Sequence, residues 1–355
     1  MAYTDIDDPS AYFQTTLYTG TGSDQNITNT GNSDLQPDWT WIKKRNGSTN
    51  NMVTDSVRGA TKNLVTNTSA VEDTDANGLK AFLSDGFTVG STGAFNSSNN
   101  TFVSWNWKAG TSFSNSAGAN GASIASTGSI NTAAGFSIVK YEATGSNATV
   151  GHGLGAVPKM IIVKDLEDTG GSNWAVYHSS LGNTKFLELN ANAAPDTSSG
   201  LWNNTTPTSS VFTIGTNSRV NNSGNDFIAY CFADVQGFSK IGSYLGNGSA
   251  DGAFIYTGFK PAFFMLKRTN TAGSDWSMWG YTSLSGFNSI GRRLFPNTNG
   301  AESSQDSSAM ADFLSNGIKL RQTDGDYNGD DNTYIYMAFA ENPFVSAAGT
   351  PVTAR

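Results

Sequence analysis

PAFFMLKR (residues 261–268) sets a proline, a short apolar run and a lysine in close order, and the chain writes that order three times. The earlier versions are PDWTWIKK (37–44) and PKMIIVK (158–164). Each run is short, β-branched or aromatic, and flanked by turn residues, which reads as a strand. Each run also has company in a fixed order. Before it comes a tyrosine and a Gly-rich turn: LYTGTGS (17–23), KYEATGS (140–146) and SYLGNGS (243–249). After it come SDGFTVG (84–90), SSVFTIG (209–215) and SNGIKLR (315–321), then a polar loop. Aromatic strands close the series: FVSWNWKAG (102–110), FIAYCFADV (227–235) and YIYMAFAEN (334–342). One order kept three times indicates an internal repeat of about 100 residues.

The expected fold class is therefore all-β: three repeated β-sandwich or jelly-roll-like modules with only short helical turns. The alternation in SWNWKA predicts one buried and one wetted face. ANGLKAFL (76–83) and SSAMADFL (307–314) come nearest to a helical period and are read as one or two short turns each. The boundaries that follow are an N-terminal arm plus module one (1–110), a linker (111–135), module two (136–241), module three (242–344) and a C-terminal arm (345–355). Residues 111–135 are rich in Gly, Ala and Ser and carry no charge, so a flexible linker is the default reading. The alternative is an extended segment packed along a neighbouring subunit. Modules two and three join with no linker, which predicts rigid docking.

Composition narrows the function classes. Charged residues make up 14% of the chain, well under the usual share of about 25%. Asn, Ser, Thr and Gly take their place, as suits an extracellular β-protein. A net charge of −8 argues against a nucleic-acid partner, which needs a basic stripe. The first residues, MAYTDIDDPSAYFQ, lack the basic and apolar regions of a signal peptide, and no apolar run is long enough to span a bilayer. An extracellular character without an export signal suggests a protein made in the host cytoplasm, assembled into a particle and released by lysis. The single cysteine, Cys231, lies in an apolar run and reads as a small core residue.

Candidates for chemistry are sparse. The two histidines, His152 and His178, sit in GHGLG and WAVYHSSLG, without the order or spacing of a catalytic triad, and no G-x-S-x-G elbow is present. Glycan depolymerases need two facing carboxylates, and no pair stands out. DGDYNGDD (324–331) offers a calcium-loop start: Asp324, Asp326 and Asn328 hold positions 1, 3 and 5, with Asp330 beyond. Ile335 stands where the bidentate Glu belongs, so a polar hairpin is preferred over calcium. Sugar recognition would use aromatic platforms, and the candidates are Trp202, Trp276, Trp279 and Tyr281. Trp174 and Trp276 recur between modules and read as core. Trp202 and Trp279 do not recur and are the better candidates for a module-specific task.

PDWTWIKKR, DSVRGATKNL (55–64), FVSWNWKAG, GHGLGAVPKMIIVK (151–164), WAVYHSSLG (174–182), FADVQGFSKIGSYLGNGS (232–249) and YIYMAFAENPF (334–344) together resemble a family of tailed-phage virion structural proteins. That family is found mostly in phages of marine and freshwater bacteria, cyanophages included, and is usually labelled tail fibre. The resemblance runs from about residue 13 to 344. It implies a virion exterior location, other virion proteins as partners, and a non-enzymatic structural or adhesive role; the aromatic candidates add host surface polysaccharide as the ligand class an adhesin would take. By analogy with phage fibres it implies a homotrimer. It leaves open a tail fibre, a tail-tip protein and a capsid decoration; apart from the resemblance, a decoration protein of capsid or tail and a glycan depolymerase stand as the alternatives to an adhesin.

Overall fold

The computed structural model describes residues 4–281, 289–304 and 309–343, and the expected C-terminal arm (345–355) lies outside them. Each repeat builds one large sheet whose core has the same strand order. In module one the order is Phe13–Thr19, Thr101–Trp107, Trp39–Lys44, Met52–Asp55. In module two it is Phe136–Glu142, Asp226–Phe232, Met160–Asp165, Ala175–His178. In module three it is Ser239–Leu245, Thr333–Pro343, Phe259–Arg268, Ser277–Trp279. These will be called the tyrosine, closing, lysine and hairpin strands. All these pairings are antiparallel. Proline explains itself locally. Pro37 and Pro158 stand just before their lysine strands, and Pro261 sits at a register shift inside the third, where a missing N–H breaks no regular ladder.

A smaller sheet belongs to each module. Gln25–Ile27, Gly86–Val89 and Leu79–Leu83 form the first, and Ala148–Gly151 with Val211–Ile214 the second. The third takes the order Phe254–Tyr256, Gly317–Leu320, Ala311–Leu314, Ser289–Ile290. The two segments read as helical turns are therefore strands in these sheets, Leu79–Leu83 and Ala311–Leu314. Their apolar residues meet a strand partner from SDGF or SNGI, which outweighs a weak local helical period. Short helical turns do occur, at Gly93–Asn96, Ser199–Trp202 and Ser218–Asn221.

Residues 111–135 are not a loose linker. Thr111–Asn115 and Ser126–Asn131 add two antiparallel strands to the large sheet of module two. Between them Ile124 makes a parallel bridge to Val150, covering the edge of the small sheet. Phe113 and Ile124 pack on that module's core, so a few apolar residues suffice to fix a stretch whose composition reads as flexible.

Tyrosine is a lock repeated three times. Tyr18, Tyr141 and Tyr244 donate their hydroxyls to the carbonyls of Phe95, Val220 and Tyr327 at 2.7, 2.8 and 2.8 Å. Their rings stack within 10–11° of parallel on Phe102, Phe227 and Tyr334 of the closing strands. The residue after each acceptor is a buried asparagine: Asn96, Asn221 and Asn328. Each spends its amide on two carbonyls and accepts from the Gly-rich turn after the tyrosine. The turn is thereby tied to the rest of its module.

The closing strands are buried on both faces rather than one; from Phe102 to Trp107 every residue is buried. One face meets the module's own small sheet, and the other meets the other two modules. Trp39 stacks on Tyr230 at 4.6 Å, Trp107 lies 5.6 Å from Phe339, and Phe232 lies 6.0 Å from Phe339. One core cluster thus draws residues from all three modules. Two of the polar alternates meet at one acceptor: the Asn106 amide and the Thr16 hydroxyl both donate to Asn29 Oδ1.

The modules close into a ring. Lys164 of module two donates to the Ser69 carbonyl of module one, and Lys43 of module one donates to the Asn299 carbonyl of module three. Trp276 of module three donates through its indole to the Glu188 carbonyl of module two. Two on one, one on three, three on two is the contact pattern of a threefold arrangement made from a single chain.

Candidate functional site

The structure places the sequence-nominated aromatics in the interior. Trp202 is 2% exposed, Trp276 1%, Trp279 0% and Tyr281 6%. Trp202 donates to the Lys185 carbonyl and packs edge-on against Tyr177. Trp276 seals the interface with module two. Trp279 sits between Phe264 and Tyr327. Tyr281 packs edge-on against Trp105, with the Arg45 guanidinium 5.5 Å from its ring. It contributes to the wall of a groove of about 510 Å³ between modules one and three, shared with Gln14, Leu17 and Glu341. As sugar platforms these four are corrected: each ring has found apolar partners, and no ring face stands open to solvent. All eight tryptophans of the chain share that fate.

The calcium-loop start is also engaged by protein groups. Arg293 reaches Asp326 at 3.2 Å and Asp324 at 4.0 Å, placing a cation between the two carboxylates. Asp324 accepts from the Asp326 N–H, and Asn328 is the module-three copy of the buried turn clamp. Asp330 is exposed at the loop surface. Among the described residues no group of three His, Cys, Asp or Glu side chains is placed to hold a metal ion.

The histidines are committed as well. His152 is bonded to the Thr208 carbonyl and the Leu154 N–H; His178 to the Tyr336 carbonyl and the Ser180 N–H. In both rings Nε2 donates and Nδ1 accepts, which fixes a neutral tautomer. Burial pushes both down to about 4. Burial likewise pushes the Cys231 thiol up to about 12. Asp55 accepts from Arg58 and from the Tyr230 hydroxyl at the interface of modules one and two, a fully covered network.

What remains is a surface that sequence reading passed over. Phe254 is 45% exposed and Tyr256 55%, and they are the exposed aromatics among the described residues. Two residues apart on one strand, they face the same way, about 7 Å apart along it. Phe254 pairs with Lys319 and Tyr256 with Gly317, so all four share the outer face of the small sheet. At Gly317 a Cβ would meet the Ile255 carbonyl oxygen at 2.2 Å and the tip of the Phe254 ring at 3.0 Å. Only glycine allows that approach, and it leaves bare backbone beside Tyr256. Lys319 bonds Asp251 at 2.7 Å and the Gly252 carbonyl, setting an ion pair at the rim. Hydrogen bonding from Lys319, with its charge, holds the Asp251 carboxyl below the usual carboxylate range.

The positions equivalent to Phe254 in the other modules are polar. Ile255 corresponds to Ile27 and Val150 by register, which sets Phe254 against Asn26 and Thr149. Asn26 is bonded by Thr88, and Thr149 by Ser123 from the covering segment. A position-by-position comparison of the three small-sheet strands is the sequence signal that would have found Phe254 and Tyr256. An exposed aromatic pair with a charged rim suits a ligand that offers both apolar C–H faces and hydroxyls.

Over residues 8–343 the chain matches a domain family of unknown function, DUF7483, and it belongs to that family. No curated protein matches it. No solved structure matches it either.

Proposed function

We propose that the protein is a non-enzymatic structural protein of a phage particle, an adhesin whose module-three outer face binds host surface polysaccharide. One observation carries the reading. Of three small sheets built alike, a single one exposes an aromatic pair, and a departure from a repeat marks a task that the fold does not need. Among the described residues, both histidines and the buried carboxylates Asp38, Asp55 and Asp165 have hydrogen-bond partners, and the thiol is fully buried. The resemblance of the strand motifs to tail-fibre proteins supplies the setting, the virion exterior.

The inner faces that a homotrimer would bury are already covered within one chain, which favours a monomer over the homotrimer suggested by fibres. Net negative charge keeps nucleic acid out of the proposal. The test is titration of the purified protein with capsular or lipopolysaccharide glycan from its host, followed by calorimetry. Phe254→Ala/Tyr256→Ala should weaken binding by about tenfold or more, roughly 1.4 kcal/mol, with the melting temperature kept. Equal binding by the variant would remove this face from the proposal.

A further inference from the structure

The two ends of the pseudo-threefold axis differ. At the end where the closing strands finish, the N-terminal segment breaks the symmetry. Ile6 enters the shared core, Thr4 packs on Gly237, and Tyr12 packs edge-on against Phe238. One segment serves one module there, and among the described residues the other two have no counterpart.

The lysine end keeps the threefold pattern down to single hydrogen bonds. Asn67, Asn190 and Asn297 accept from the backbone N–H of Asn51, Trp174 and Trp276. The same three amides donate to Asn50, Asn173 and Asp275. Neighbouring modules are then stitched together. Thr49 donates to the Asn299 carbonyl, Gly273 to the Asn192 carbonyl, and Gly171 lies against Ser69. Beneath them sit the buried lysines Lys43, Lys164 and Lys267, one per module: Lys43 donates to the Thr49 and Asn299 carbonyls, Lys164 to those of Ser69 and Ser172, and Lys267 to that of Arg268. The result is a closed rim of three matching loops, 46–50, 167–171 and 269–273. Except for Glu167, Asp168 and Ala272 the loops carry amides, hydroxyls and glycine.

We infer that this rim docks coaxially on a homotrimeric protein, one copy of this chain capping three identical subunits. A rim repeated three times presents nearly the same contact to each subunit, whereas a monomeric partner could use only one third of it. Two of the loops are neutral and all three are rich in hydroxyls, amides or glycine, which fits a partner face of the same polarity, held mainly by hydrogen bonds and bridging water. The partner is taken to be a trimer of the particle, so the inference rests on the virion reading.

The experiment is quantitative mass spectrometry and cryo-electron microscopy of intact purified particles. The expected result is one copy per three of the contacting protein, on a threefold axis, with residues 46–50, 167–171 and 269–273 facing it. Ser48→Glu/Thr169→Glu/Thr271→Glu places one charge on each exposed loop and should cut incorporation about tenfold while leaving the melting temperature of the free protein unchanged. The chain on the particle but off a threefold axis, or unimpaired incorporation of the triple variant, overturns the coaxial docking and leaves the virion reading standing. Absence of the chain from particles overturns both.

Discussion

Replacing Tyr141 by Phe removes a single oxygen atom from the centre of module two. The ring stays stacked on Phe227 at 5.3 Å, so packing is kept. What is lost is the 2.8 Å bond to the Val220 carbonyl, in a residue 2% exposed. Leaving a buried acceptor unsatisfied costs about 1–3 kcal/mol. Tyr18→Phe and Tyr244→Phe remove the equivalent bond, and the three sites share no partner. Their effects should add to within about 0.5 kcal/mol, giving roughly 3–9 kcal/mol for the triple variant. That is a large share of a total stability of about 5–15 kcal/mol. Urea unfolding followed by tryptophan fluorescence is the assay, because all eight tryptophans report from the interior. The midpoints should fall at constant slope, and in one transition, since the core is continuous through all modules. A triple variant as stable as the parent would refute the idea that these hydroxyls lock the turns.

Stability should rise with pH on the alkaline side. Burial pushes Lys43, Lys164 and Lys267 down to about 8 from an ordinary value of 10.5, so their charged forms oppose folding, and this opposition fades between those two values. The gain is at most about 3 kcal/mol per lysine at ~1.36 kcal/mol per pH unit, until the buried tyrosines, whose acidities burial weakens, reverse it above pH ~10. Urea midpoints at pH 7.5, 8.5 and 9.5 check this, with Lys164→Met losing about a third of the rise; a flat profile contradicts it. Light scattering should give the 37.5 kDa monomer at micromolar concentration, and a mass three times larger would restore the homotrimer. Calcium or a chelator should leave the melting temperature within about 1 °C, and Arg293→Ala should create whatever calcium sensitivity the Asp324–Asp326 pair can support; a strong calcium response of the unaltered chain would reinstate the loop as a site.

The strand motifs and their order could be read directly, because side-chain alternation and turn residues act within a few neighbours. The site could not. Trp202 and Trp279 fail to recur between modules, a mark that local packing shares with function, and both fill space particular to their module. Phe254 and Tyr256 look like ordinary strand residues until the sheet edge that carries them is known to face outward. Likewise the glycine- and serine-rich stretch 111–135 gives no sign that Ile124 will bridge to Val150.

Sequence by itself determined that this chain is three copies of one β-module, since each copy carries its own strands, turns and tyrosine lock. Only the tertiary structure decided that the copies close into a ring. SWNWKA shows the reason. Its alternation marks two chemically different faces, but whether the second meets water or another module depends on surfaces about a hundred residues away in the chain, and local periodicity carries no information about those.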